Sequence, residues 1–425
     1  MARIPADEDL TSVVSEAMST DLNAVLVFNV LRTHSYLSPF LDADLRRRRL
    51  TASQFNTLLV LRAAGPDGLR MGEIGERLVV TKSNVTGLPL VATWELTRAC
   101  GLACDDCWTN ATESRHPNEL STAEAKRLLD RLREFGANLL VVLSGGDPFE
   151  RDDLLEIVEY GTEVGLTITL NATGAGRVPQ PRLERLVEAG LYRLVLSLDG
   201  ANAATHDGVR GAPGSFEATV ETIEAARRID LPTGVNTLVS EETFGDLPEI
   251  RDALEGFGVV LWNLFFLVPV EEHGFLESVA PSTADAIMRW LHEASKASPF
   301  DVRTIEAPQY RRVAIKRGEV VTGVRDQFGT YAGDGIVHVD HLGDVYPSEF
   351  LRIPAGNVRE SSIVETYRNS SLFGELRDRS NLEGRCGACP YREICGGSRA
   401  RAYATTGNVH ATDPLCPFLP PGFEE

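Results

Sequence analysis

Three cysteines lie within eight residues, Cys100-Gly-Leu-Ala-Cys104-Asp-Asp-Cys107, directly after the apolar run Leu90-Val-Ala-Thr-Trp-Glu-Leu96. Thiolates are soft ligands suited to zinc or to iron–sulfur clusters. A structural zinc site takes four protein ligands and commonly mixes His with Cys, yet no further Cys or His follows before His116. Three thiolates on a four-iron cluster leave one iron open, and an open iron can bind a second molecule. The other four cysteines, Cys386, Cys389, Cys395 and Cys416, form a separate group. Three plus four is the count for one open cluster and one fully ligated cluster. A four-cysteine zinc site also fits the ligand types of the second group.

Composition narrows the setting. The chain of 425 residues is long enough for two or three domains. Its 43% hydrophobic and 24% charged content is that of a soluble globular protein. No run of about 18 apolar residues occurs, so no membrane span is expected. The start, Met1-Ala-Arg-Ile-Pro-Ala-Asp-Glu-Asp, lacks the basic and apolar regions of a signal peptide. A cytoplasmic location is expected, and in a reducing compartment seven cysteines argue for metal over disulfides. The net charge of −19 argues against nucleic-acid affinity. Residues 1–88 hold ten basic and ten acidic residues, so the remainder carries the whole deficit.

The elements that must position the cysteines read as strand–helix alternation. Expected strands are 90–96, 138–143, 166–170, 193–198, 233–239 and 259–267, and expected helices are 122–135, 152–164, 181–189, 215–229 and 246–257. Apolar strands alternating with amphipathic helices give parallel βαβ units, with ligand-binding residues at the C-terminal ends of the strands. Polar and glycine residues gather at those ends: Ser144-Gly145-Gly146-Asp147-Pro148 after the second strand, Asn171-Ala-Thr-Gly174 after the third, and Ser197-Leu-Asp199-Gly200 at the end of the fourth. Arg210 follows shortly, and Asn236 interrupts the apolar fifth strand. The glycine pair permits close backbone approach to a ligand, and the Asp147 carboxylate can accept from an ammonium group. Asp199-Gly200 as a turn, Arg210 as a surface cation and Asn236 as a satisfied core amide are the plain alternatives. A helix over 283–297 precedes Glu306 and Tyr310, expected at solvated surface. Gly335-Ile-Val-His-Val and Gly343-Asp-Val-Tyr read as a hairpin.

The CX3CX2C spacing after a first strand resembles the signature of radical S-adenosylmethionine (SAM) enzymes, with Asp106 where that family usually has an aromatic or His residue. The resemblance implies a partial (β/α)6 barrel within an α/β fold. It also implies a [4Fe-4S] cluster on Cys100, Cys104 and Cys107, whose open iron is chelated by SAM. Reduction then cleaves SAM to methionine and a 5′-deoxyadenosyl radical, and a flavodoxin- or ferredoxin-like protein is the implied reductant. Ser144, Gly145, Gly146, Asp147, Asn171, Ser197, Asp199, Arg210 and Asn236 match, or stand near, the family's SAM-contacting positions. Cys386-Gly-Ala-Cys389 through Cys395-Gly-Gly-Ser398-Arg399 to Cys416 resembles the SPASM extension of peptide-modifying members. That likeness implies an outer auxiliary [4Fe-4S] cluster on Cys386, Cys389, Cys395 and Cys416. The inner cluster is expected to be missing, because Arg399 and Ser348 stand where its cysteines would.

Two further resemblances complete the organisation. The runs "CGGSRARAYA" and "PAGNVRE" make residues 90–420 similar to iron-coproporphyrin decarboxylases. Residues 22–88 resemble a MarR-type helix-turn-helix without its wing and dimer helices; the missing parts favour a docking or structural module that packs through Phe28, Leu31 and Leu59, with DNA reading and precursor-peptide recognition as the alternatives. The expected domains are 1–88, 89–300 and 301–425. The expected activity is hydrogen abstraction from an unactivated C–H bond of a small, tetrapyrrole-like molecule. Peptide modification and cluster-based redox sensing by a MarR-like regulator are the alternatives.

Overall fold

The computed structural model describes residues 88–102, 104, 107–136, 139–269, 276–319 and 331–423. The helix-turn-helix expected over 22–88, its packing face and Asp106 lie outside the described residues, apart from Leu88.

Six strands, β1 (Val91–Thr97), β2 (Leu140–Gly145), β3 (Thr167–Ala172), β4 (Arg193–Ser197), β5 (Thr233–Val239) and β6 (Leu261–Phe266), pair consecutively and in parallel. Helices α1 (Thr122–Arg133), α2 (Leu154–Glu163), α3 (Gln180–Glu188), α4 (Ala203–Arg210), α5 (Ser215–Arg228) and α6 (Leu247–Phe257) fill the crossovers. The boundaries agree with the sequence pattern because the caps are chemical. The Ser121 hydroxyl accepts from the Glu124 amide, and the Glu124 carboxylate accepts from the Ser121 amide, which fixes the start of α1. Helix α4 escaped the sequence pattern. It is only eight residues long, starts at an Asn202 cap and ends on left-handed Gly211.

Strand alternation sorts the side chains. Trp94 and Leu96, Val141 and Leu143, Ile168 and Leu170, Leu194 and Leu196, and Trp262 and Leu264 share one core with the helices. Their neighbours in sequence, among them Thr93, Glu95, Ser144, Asn171, Ser197, Asn236 and Asn263, therefore point to the opposite face. In lateral register Ser197 lies beside Asn236, Asn236 beside Asn263, and Asn263 beside Arg303. That row of amides and a guanidinium lines the face away from the helices.

Residues beyond 300 extend the same sheet at both edges. After α7 (Pro281–Ala297), β7 (Asp301–Ile305) pairs in parallel with β6. After α8 (Tyr310–Lys316), β8 (Ile336–Val339) pairs in parallel with β1. The hairpin partner β9 (Asp344–Tyr346) and β10 (Gly356–Asn357) continue antiparallel, giving ten strands. Short helices α9 (Ile363–Asn369), α10 (Ser371–Arg377), α11 (Gly384–Ala388) and α12 (Arg399–Thr406) close the fold.

Two expectations fail here. Tyr310 is buried, 2% exposed, in the core cluster, and Glu306 is half-buried and held by the Ser398 hydroxyl, so neither is a freely solvated surface residue. Both follow from β7. A strand at 301–305 carries the next turn inward, and its five residues are too few to show a period. Among the described residues no helix is long and apolar enough to cross a membrane.

Candidate functional site

The cysteine loop leaves the C-terminal end of β1 and is closed at its base. Cys100 N donates to Thr112 O at 2.9 Å and Thr112 N to Arg98 O at 2.8 Å. Glu119, 7% exposed, accepts from Thr97 Oγ1 at 2.7 Å, Arg98 N at 3.0 Å and Arg115 Nε at 2.8 Å. Arg151, 1% exposed, donates to Leu96 O and Leu120 O. These two charged residues clamp the loop, and sequence reasoning passed over both; the one cue was an Arg three residues after the Gly-Gly-Asp-Pro run.

The glycine pair is packed against the backbone of the cysteine loop. A Cβ on Gly146 would stand 2.2 Å from Ala99 O, and one on Gly145, at φ +124°, would stand 2.4 Å from Thr97 O. The room left by the missing side chains is filled by the backbone of the cysteine loop. Gly146 N donates to Thr97 O and Asp147 N to Ala99 O. The Asp147 carboxylate, 6% exposed, accepts from Phe149 N and from Thr173 Oγ1 at 2.9 Å. Burial holds its pKa above the ordinary carboxylate value.

Arg210 brings α4 to the loop. Its Nη1 is 3.8 Å from Cys104 Sγ, and its Nη2 pairs with Asp199 at 2.8 Å. Asp199 also accepts from Leu238 N at 2.7 Å, which ties the β4 end to β5. The guanidinium is therefore aimed at the cysteines, and Asp199 acts as its anchor. Burial raises the Cys100 thiol to about 11 and raises Cys104, against the pull of Arg210. Such thiols need a cation to become thiolates. Cys107 Sγ accepts from Ala111 N at 3.3 Å. Ser144, Asn171 and Ser197 lie toward the strand ends and Asn236 at the middle of β5, all on the face away from the helices, and Asn236 Oδ1 accepts from Asn263 Nδ2 at 2.9 Å.

That face holds a second set of polar groups that the sequence did not flag. Glu95, 1% exposed, faces His338 Nε2 at 3.8 Å, His341 Nδ1 at 3.6 Å and Arg352 Nη1 at 3.4 Å. Thr93 bridges His338 Nδ1 at 2.8 Å and Glu349 at 3.2 Å. Arg352 lies over the ring of Trp108, which directly follows Cys107. Burial works against the Glu95 charge, but the two imidazoles and Arg352 outweigh it and hold its pKa at about 2. Burial pushes Glu349 up to about 7. These residues come from β1 on one side and from β8, the β8–β9 turn and the segment after β9 on the other, more than two hundred positions away.

His338 makes a pH prediction. Burial pushes its pKa from 6.5 down to about 4. The folded chain thus binds fewer protons than the unfolded one, so stability is full above pH 6.5 and is lost as pH falls toward 4. The loss amounts to about 3 kcal/mol at about 1.4 kcal/mol per pKa unit, and His206, also at about 4, acts in the same sense. Urea denaturation between pH 7.5 and 4.5 should show a shallower acid loss in His338→Gln. Identical slopes would refute the assignment.

The second cysteine group surrounds one pocket with about 400 Å³ of space, part of it open to solvent. Cys386, Cys389, Cys395 and Cys416 line it together with Arg312, Arg385 and Phe418. All seven cysteines are free. Burial raises Cys395 to about 12 and Cys416 to about 11. Among the described residues no three His, Cys, Asp or Glu converge tightly enough to hold one ion. Four cysteines around a common space fit a multi-iron cluster in donor type and number.

Comparison with known proteins decides the family. An AdoMet-dependent heme synthase of Methanosarcina barkeri is 37% identical over 345 residues, spanning 79% of this chain and 98% of that protein. Residues 94–254 match the Radical SAM superfamily. The chain belongs to the radical SAM superfamily. As a radical SAM enzyme it is also similar to a PqqA peptide cyclase of Rhodopseudomonas palustris, 31% identical over 351 residues, spanning 79% and 88% of the two chains. The solved structure of SuiB from Streptococcus suis bound to S-adenosylmethionine superposes with a TM-score of 0.64. It covers 91% of this chain and 89% of its own at 14% identity, so the likeness is one of fold.

Proposed function

We propose that this radical SAM enzyme abstracts hydrogen from an unactivated C–H bond of a tetrapyrrole. The substrate class is supported by the 37% identity that runs along nearly the full length of a heme synthase. An Fe-coproporphyrin III synthase, 31% identical over 353 residues, points the same way.

Cys100, Cys104 and Cys107 would hold a [4Fe-4S] cluster with SAM, which supplies a 5′-deoxyadenosyl radical on reduction. The chain's own residues do the positioning. Arg210, anchored by Asp199, supplies a fixed guanidinium beside Cys104 for the SAM carboxylate. Asp147 keeps lone pairs for the SAM ammonium beyond its bonds to Phe149 and Thr173. Ser144, Gly145, Gly146, Asn171, Ser197 and Asn236 complete the SAM wall. Cys386, Cys389, Cys395 and Cys416 would hold one auxiliary cluster, and a flavodoxin- or ferredoxin-like protein would be the electron donor in the cytoplasm. Residues 1–88 would serve as a docking module.

Anaerobically reconstituted protein, reduced with dithionite, should form 5′-deoxyadenosine and convert iron-coproporphyrin III to a product of lower mass with loss of CO2. Mass spectrometry reads both products. Formation of 5′-deoxyadenosine with an unchanged tetrapyrrole would sink the substrate class and leave the peptide-modifying reading.

A further inference from the structure

At the position where related extensions carry an inner-cluster cysteine, Arg399 turns its guanidinium toward the outer cysteine group. It is 3% exposed, and its donors are shared out with little freedom. Nη1 donates to Val409 O at 2.7 Å and Ala411 O at 2.8 Å, and Nε to Gly397 O at 3.3 Å. Nη2 is left to donate to Cys386 Sγ at 3.7 Å. The same sulfur accepts from the backbone of Asp413 at 3.4 Å.

The local backbone is shaped to admit this cation. Gly396 and Gly397 are both left-handed, at φ +67° and +68°. A Cβ on Gly397 would stand 2.7 Å from Arg399 Nη2 and 3.1 Å from Cys386 Sγ. A Cβ on Gly396 would stand 1.9 Å from Nη1 of Arg379, which donates to Cys395 O at 3.4 Å. Two consecutive glycines thus open space for two buried guanidinium groups beside two of the four cysteines. Arg379 reaches Asp334 only at 3.8 Å, and Arg399 feels the charge of Asp413 while its own hydrogen bonds go to carbonyls and to Cys386 Sγ.

We propose that Arg399 is a redox-tuning residue that raises the reduction potential of an iron–sulfur cluster held by Cys386, Cys389, Cys395 and Cys416. This rests on the reading that those cysteines hold such a cluster. A cluster with four thiolates is anionic and becomes more so on reduction. A buried cation, and a hydrogen bond to one of its sulfurs, therefore favour the reduced state. The low local dielectric strengthens both effects. Arg399 occupies the place of a second cluster's ligand and leaves one auxiliary cluster set to accept an electron more readily.

The test is an anaerobic redox titration of the full-length, reconstituted protein followed by electron paramagnetic resonance. The wild-type chain should show two cluster signals. In Arg399→Met the C-terminal cluster should titrate at a more negative potential with its iron content retained, while the signal of the N-terminal cluster does not move. Arg399→Lys keeps a charge without the fixed fork and should fall between the two. An unmoved midpoint in iron-replete Arg399→Met would overturn the inference alone. Loss of the C-terminal iron from both variants would make the guanidinium structural and overturn it too. Zinc in place of a second cluster signal in the wild-type protein would overturn the cluster reading itself.

Discussion

Alanine at all three of Cys100, Cys104 and Cys107 is expected to abolish SAM cleavage and to halve the iron content. On the proposed reading the wild-type chain carries about eight iron and about eight sulfide as two four-iron clusters, and the triple variant keeps about four of each. The loss should be complete for 5′-deoxyadenosine, because a cluster on the other four cysteines has every iron ligated and leaves none open to SAM. The fold should survive. The loop is held by bonds made by Thr97, Arg98, Thr112, Glu119 and Arg151, none of which uses a cysteine side chain. Burial disfavours the thiolate at Cys100 and Cys104, so removing those two thiols adds no unpaired charge. Circular dichroism, iron analysis and chromatography of the nucleoside product check the three parts. Residual 5′-deoxyadenosine at more than a trace, in protein with half the iron, would place the SAM-cleaving cluster at the other four cysteines.

The elements around that loop were legible because they obey local rules. Each of the six parallel strands is an apolar run, each long helix has one apolar stripe, and the Gly-Gly-Asp motif falls where a strand must end. The exceptions share a physical cause. Helix α4 and strand β7 are held by tertiary partners, Asp199 for Arg210 and β6 for β7, and are too short to show a period. The Glu95, His338, His341 and Arg352 group comes from strands that meet only when β8 joins the β1 edge. No spacing in the sequence announces such a meeting. The backbone contact of the glycine pair is not readable from the sequence for a similar cause. The atoms that exclude a Cβ at Gly145 and Gly146 belong to Thr97 and Ala99, nearly fifty residues earlier. The sequence marked the positions where close approach occurs, and the fold determined that the approaching group is backbone.

The same logic singles out Arg401 as the residue that joins the C-terminal extension to the sheet. Arg401 is 2% exposed and donates to Leu267 O at 3.0 Å, and to Phe266 O and Glu306 O at 2.9 Å. These carbonyls follow or end β6 and β7. Its Nη1 meets both oxygens of fully buried Asp413 at 3.3 Å. Asp413 in turn accepts from Ser398 N at 2.7 Å and Leu415 N at 3.0 Å, and its own amide donates to Cys386 Sγ. Arg401→Met should therefore leave three carbonyls and a buried carboxylate short of a partner. Removing one member of a buried pair costs on the order of 3–5 kcal/mol. Arg401→Lys should rescue little, since one ammonium cannot reach carbonyls on two strands and the carboxylate together. Urea denaturation under anaerobic conditions reads the loss, and iron analysis should show the C-terminal group depleted before the N-terminal one. In Arg401→Met/Asp413→Asn the uncompensated charge is gone, so the double variant should be more stable than the sum of its single losses predicts. Strict additivity, or a loss under about 1 kcal/mol in Arg401→Met, would show that the extension is held to the sheet by its apolar contacts instead.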